Sequence, residues 1–272
     1  MLVAFTNTLF TQTVAFAADE FGVSNSGQGI GSAIVRWGIV ISLPIVARAD
    51  ARGRRPVIVV LSWAAPLACA LGALSPNFAV LVATQTVGRP LGLTLDVLLA
   101  VLVIEEMPRD SRAYATGLLA VLSGIGAGVA VASLPLADIS PTSWRWVYVM
   151  SLVWLPVAFA ITRGLPESVR FVAQHPDAAG HARLLSRTGL TRNLGRICSV
   201  VFLTNIFIAT MSIFQNRYLK DTRGYSALLV ALFTTATSSP AAIGLVIGGR
   251  VADARGRRRL GAFMVPVGAA LL

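Results

Sequence analysis

The sequence predicts an all-α polytopic membrane protein: six N-terminal spans followed by an incomplete second bundle of about three. Three observations carry this. The chain is 55% hydrophobic and only 13% charged, against about 25% charged in ordinary soluble domains, and its mean hydropathy is +0.73. Apolar runs recur at the length a bilayer needs, about 20 residues for a hydrocarbon core about 30 Å thick. The heptapeptide Ala-Asp-Ala-Arg-Gly-Arg-Arg occurs twice, at 49–55 and 252–258, each time between two such runs. Helices are expected because a segment in lipid must satisfy its own backbone polar groups.

The first run, about 2–18, follows no basic segment of the kind that opens a cleaved signal peptide. It carries Asn7, Thr8, Thr11 and Gln12, two i, i+4 pairs on adjoining faces. The second, about 28–47, holds Arg36 and leads into the first heptapeptide. The third covers about 57–73 and the fourth about 78–104, the latter with Gln85, Arg89, Pro90 and Asp96. The fifth, about 113–136, contains Gly124, Gly126 and Gly128. These glycines, like Gly88–Gly92 and Gly244–Gly248, have spacings that favour close helix contact. The sixth covers about 146–162.

A polar stretch then reads as a linker, dividing the chain into an N-terminal six-helix bundle (1–163), a cytoplasmic linker (164–196) and an incomplete C-terminal bundle (197–272). The seventh run, about 197–214, carries Asn205; the eighth, about 225–249, carries Thr234, Thr235, Thr237, Ser238 and Ser239 before Pro240. That polar, Pro-broken stretch is expected at mid-membrane, where interrupted helices often line sites. A ninth run begins near 260. The heptapeptides stand 203 residues apart, so spans 2 and 3 pair with 8 and 9. Halves built alike need three more spans, so a partial chain is expected; a natural short form completed by association is the alternative.

The net charge of +11 is distributed by topology. With the N-terminus in the cytoplasm, Arg48, Arg52, Arg54, Arg55, Arg109, Arg112, Arg163 to Arg196 and Arg250 to Arg259 fall on the cytoplasmic side; Arg145, Arg217, Lys220 and Arg223 fall opposite. This follows the positive-inside rule. The basic loops lack interleaved aromatics, so no nucleic-acid partner is expected. Cys69 and Cys198 lie in apolar runs with no Cys-x-x-Cys spacing, and His175 and His181 sit in the linker, so no disulfide framework, metal or cofactor is expected. There is no His-Glu-x-x-His, no Gly-x-Ser-x-Gly and no intramembrane His, so no catalytic residue is assigned.

Charges at membrane depth cost at least about 2.5–3.5 kcal/mol on insertion scales and mark cavities or pairs. Arg89 lies about 11 residues into the fourth run. Asp96 is nearly two turns further on the same helix face, about 10 Å along the axis. A cation and a carboxylate so placed suit substrate binding or proton coupling, and the alternative is structural pairing with neighbouring helices. Arg36 is shallower and could snorkel outward. Asn7, Thr11, Gln12, Asn205, Thr237 and Ser238 are further candidates for hydrogen bonds to a solute or between helices.

The loops carry a resemblance. Gly249-Arg-Val-Ala-Asp253-Ala-Arg-Gly256-Arg257-Arg258 resembles the signature loop G-x-L-A-D-R-x-G-R-R of the major facilitator superfamily. Val46 to Arg55 matches it less fully, with Val46 for the leading Gly and Ala51 for the basic residue. Arg89-Pro-Leu-Gly92 is similar to the element of span 4, Glu105 to Arg112 to the E-x-x-P-x-x-x-R loop, and Leu165 to Phe171 to P-E-S-P-R, with Val169 for the second Pro. The last element is best known in sugar porters and related metabolite or organic-ion carriers.

The resemblance implies a two-bundle transporter fold and a secondary carrier of a small solute (metabolite, organic ion or drug), with protons a candidate coupling ion and the lipid bilayer its setting. It also implies a cytoplasmic gate of Asp50, Gly53, Arg54, Arg55, Glu105, Arg112, Glu167, Arg170, Asp253, Gly256, Arg257 and Arg258. Physically, an Asp at one helix end can accept from free N–H groups opening another, arginines can fork onto carboxylates, and Gly53 and Gly256 permit a positive φ. Asp253 is expected near the start of span 5. The chain lacks the G-P-x-x-G-G of drug–proton antiporters in span 5 and the paired glutamines of sugar porters in span 7, so the substrate stays open. A non-transporting fragment or regulatory membrane partner is the alternative.

Overall fold

The computed structural model describes residues 1–108, 111–165, 195–196, 198–199, 202–203 and 211–255. Every regular element among them is helical. Five are long and apolar enough to cross a membrane: α2 (Asn25–Arg52), α3 (Arg54–Leu74), α4 (Phe78–Glu106), α5 (Tyr114–Asp138) and α6 (Trp144–Gly164). They are joined by α1 (Leu2–Glu20), by a helical run at 211–222 here called α7, and by α8 (Ala227–Arg255). Asn205, Glu167, Arg170, Gly256, Arg257 and Arg258, most of the expected linker and the ninth apolar run lie outside the described residues.

The helices outrun the apolar stretches by a few residues at their ends. The α4 helix continues through Glu105 and Glu106, because a charged residue past the hydrocarbon region costs the helix little. Its start is set by Asn77, whose side chain accepts from the Val80 N–H at 2.9 Å; Ser24 does the same for α2, accepting from Gly27 at 3.2 Å.

Helix α1 sits at the centre. It packs on α4 and α5, and 12 of its 19 residues are buried. This explains how it tolerates its polar side chains: they meet protein, and Thr6 and Thr13 hydroxyls bond back to the Val3 and Leu9 carbonyls at 2.9 and 2.8 Å. The core around it joins Phe5, Leu9, Phe10 and Val14 to Leu81, Trp144 and Tyr148. Trp144 and Tyr148 meet edge to face at 5.6 Å, and Tyr148 OH accepts from Thr13 Oγ1 at 3.0 Å. Near the basic end, Leu2 and Val3 pack with Ile58, Leu61, Leu95 and Leu98.

Prolines shape the helices without ending them. In α2 the turn Gly38–Ile41 is 3-10, directly before Pro44, which has no N–H and whose ring crowds the carbonyl four residues back. In α4, Pro90 frees the Thr86 carbonyl from the helix ladder. There α2 approaches: a Cβ at Gly38 would collide with that carbonyl oxygen. The expectation of a broken helix at Pro240 is corrected, since α8 runs unbroken from Ala227 to Arg255. Three of its hydroxyls bond back within the helix, Thr235 to Ala231 O at 2.8 Å, Thr237 to Phe233 O at 2.9 Å and Ser239 to Thr235 O at 2.6 Å, while Thr234 Oγ1 is buried with no partner among the described residues.

The small-residue spacings divide. Gly88 lies against the Ala68–Cys69 backbone, Gly92 against Thr6 and Asn7, and Gly126 against the Met1 backbone. A Cβ at Gly124, Gly128, Gly244 or Gly248 would meet nothing within 4 Å among the described residues, so these four mark no close contact there. Helix α8 packs along α5, bringing the second half against the first.

Candidate functional site

At the basic end, the chain turns from α2 to α3 at Gly53, whose φ of 103° and ψ of 148° fall where side chains rarely go. The turn sets Asp50 and Arg54 one helical turn apart on either side of it. Arg54 donates to Glu105 of α4 and to Asp50 at 3.4 Å. The Arg54 and Glu105 side chains are 14% and 21% exposed, whereas Asp50 is 59% exposed, so Glu105 is the stronger partner. Arg55 Nε donates to the Leu165 carbonyl at 2.7 Å, tying α3 to the exit of α6. Arg112 opens the helix leading into α5 and Asp253 lies in the last turn of α8. One turn before Asp253, the Arg250 guanidinium of α8 stands 5.8 Å over the Tyr114 ring of α5.

At mid-depth, Arg89, Gly92 and Asp96 share one face of α4. A Cβ at Gly92 would lie 2.8 Å from Thr6 Oγ1 and 3.3 Å from Asn7 Oδ1, so α1 presents Asn7 between the two charges. Arg89 Nε, Asn7 Oδ1 and Gln85 Oε1 are buried with no hydrogen-bond partner among the described residues. Gln85 is fully buried, its amide N–H reaching the Cys69 carbonyl at 3.4 Å. Arg36 turns into the protein rather than outward: its Nη2 donates to Ser212 Oγ of α7 at 3.2 Å. Gln12 accepts from Asn216 Nδ2 at 2.6 Å through its side chain and at 3.1 Å through its carbonyl. Thr11 is half-buried on α1; Thr237 and Ser238 are exposed on α8.

The end opposite the basic loops holds a polar cluster that the sequence reading missed. Lys220 of α7 donates to Asp19 at 2.5 Å and lies 4.7 Å over the Phe16 ring. Arg217 meets Asp19 at 3.6 Å and Asp221 at 3.2 Å, and donates to the side-chain Oε1 of the buried Gln28 at 2.7 Å. Asp138, at the end of α5, accepts from the Ala227 N–H at 2.8 Å, capping α8 from another helix and favouring its positive dipole end. Beside these, Glu20 receives Arg145 at 2.6 and 2.7 Å and the Trp144 indole N–H at 2.5 Å. A cleft of about 470 Å³ opens among Asp19, Glu20, Asp138 and Lys220. The signal available in the sequence was the acidic pair Asp19-Glu20 at the end of the first run, opposite the few cations on that side.

The arrangement is therefore a set of helices clasped to α7 and α8 at one end, with an ion-pair cluster at the other and, between them, buried polar atoms without partners among the described residues. The family model described as Major Facilitator Superfamily matches residues 1–272. No curated protein matches the chain.

Proposed function

The chain belongs to the major facilitator superfamily, and on that premise we propose that it is a secondary active transporter that moves a small solute across the cell membrane by alternating access. Its basic loops and N-terminus face the cytoplasm, following the positive-inside rule. The division into bundle 1–163, linker 164–196 and second bundle 197–272 belongs to this reading. So do the roles of Asp50, Arg54, Arg55 and Glu105 as an inner gate and of Asp19, Gln28, Asp138, Arg217 and Lys220 as an outer one.

The supporting observation is where the halves touch. Asp19, Gln28 and Asp138 meet α7 and α8 at the outer end, while polar atoms of Asn7, Gln85 and Arg89 behind them are buried without partners among the described residues. Buried polar groups are ordinarily hydrogen-bonded, so a site that awaits a polar solute accounts for them. Asp96 is the candidate proton-coupling group, being a carboxylate on the same helix face as Arg89. Rocking of one bundle against the other would open one end as the other closes.

The test is reconstitution of the chain in liposomes with a panel of organic acids, amines, sugars and amino acids, with and without a pH gradient. Uptake of a solute above protein-free liposomes is expected, driven by the gradient if protons are coupled. Folded protein that passes none of the panel would refute transport and favour a regulatory membrane partner.

A further inference from the structure

Resting on the transport reading, we propose that the mid-depth site takes an oxyanion, the carboxylate or phosphate group of a small solute, gripped between Arg36 and Arg89. The two arginines come from adjacent helices in a fixed register. Helices α2 and α4 run the same way, Gly31 seating against Phe78 and Val82, and Gly38 against the Thr86 carbonyl. This places Arg36 at the level of Gln85, about one helical turn from Arg89. At that separation the Arg36 charge acts on Arg89.

The charge is uncompensated at Arg89. Among the described residues its electrostatic neighbours are Arg36 and Cys69, and no carboxylate acts on it. Asp96, on the same helix, interacts instead with the amino group of Met1. Arg36 donates to a hydroxyl of α7, Ser212 Oγ, at 3.2 Å. Two cations close together in a partly buried place repel each other and lose hydration, an arrangement proteins retain where a counter-charge arrives. Arg89 keeps Nε without a partner in a buried place. A guanidinium presents its donors as a planar fork matched to the oxygens of carboxylate and phosphate. The Gln85 amide, its Oε1 unsatisfied, lies on the same α4 face and offers an acceptor for a hydroxyl on the same solute.

The experiment is thermal unfolding of the full chain in detergent with succinate, inorganic phosphate, choline or glucose added. A bound ligand raises the midpoint. The expected result is a rise with succinate or phosphate, the effective one naming the source, and none with choline or glucose. Arg89→Gln should weaken the apparent affinity for that anion about tenfold or more, and Arg36→Gln should weaken it too, while Arg89→Lys retains part of the shift. Without any ligand, Arg89→Gln should melt above the parent chain, because it removes a repelling charge. A rise with choline or glucose alone, no rise with either anion, or an Arg89→Gln variant that melts lower yet keeps the anion shift would each overturn the proposal. Liposome flux reads the two claims apart. Flux of a neutral solute untouched by Arg89→Gln sinks the anion site and leaves transport standing. Anion stabilisation without flux of any solute does the reverse.

Discussion

Opening the outer clasp by substitution should expose the space behind it by a calculable amount. Asp19→Asn removes two ion pairs, to Lys220 and Arg217, whose carboxylate is 38% exposed. Exposed pairs contribute about 0.2–1 kcal/mol each, and Asn keeps a hydrogen-bond acceptor, so the loss is about 1 kcal/mol. That is a factor of about five in the balance of closed and open states. Arg217 would still hold Gln28, which is fully buried. A hydrogen bond to a charged group is worth about 1.5–3 kcal/mol, so adding Gln28→Ala should bring the combined shift to roughly a hundredfold. The assay is labelling of Thr11→Cys by a membrane-impermeant maleimide added outside, in a Cys198→Ser background, since Cys69 is buried. The labelling rate should rise about fivefold in the first variant and far more in the double variant. A double variant that labels no faster than its parent, while correctly folded, would refute the clasp as an outer gate.

Three other outcomes are expected. Gly53→Ala forces a side chain into a backbone region that costs about 1–3 kcal/mol, and should lower the thermal midpoint in detergent by several degrees. Gly38→Ala drives a Cβ into the Thr86 carbonyl and should destabilise by about 1–3 kcal/mol; Gly124→Ala, which meets nothing, should be neutral or slightly stabilising, and equal effects at both sites would refute the close approach of α2 to α4. Glu105→Ala and Arg54→Ala should each destabilise, with a double-mutant coupling of about 0.5–3 kcal/mol; additive effects on unfolding would show that the pair contributes nothing.

Much of the helix layout was legible because a bilayer imposes one length on every span. Runs such as 78–104 and 113–136 can be read from apolar composition alone, and their ends drifted by about two residues, at Glu105–Glu106 and at Asp138. The proximity of Arg54 and Glu105 was foreshadowed by two loops whose patterns resemble known elements. The contact of Lys220 with Asp19 spans 201 positions and has no pattern in either segment to announce it. Pro240 misled because a proline removes one backbone bond but need not end a helix. Gly38 gave no warning either, since an isolated glycine in an apolar run does not say which carbonyl it will face. Arg36 was read as outward-reaching because depth along a helix says nothing about which neighbour supplies a hydroxyl.

The glycine seam between α2 and α4 has a mechanical consequence. With backbone seated against side chain at Gly31 and against backbone at Gly38, the two helices form a single beam with no loose layer of long side chains to let one slide past the other. Arg36 and Arg89 are fixed to that beam like the jaws of a calliper locked at one width. On the transport reading, tilting the beam would carry both arginines together and leave their gap unchanged, so the grip on a solute would be set by its size and charge throughout the cycle.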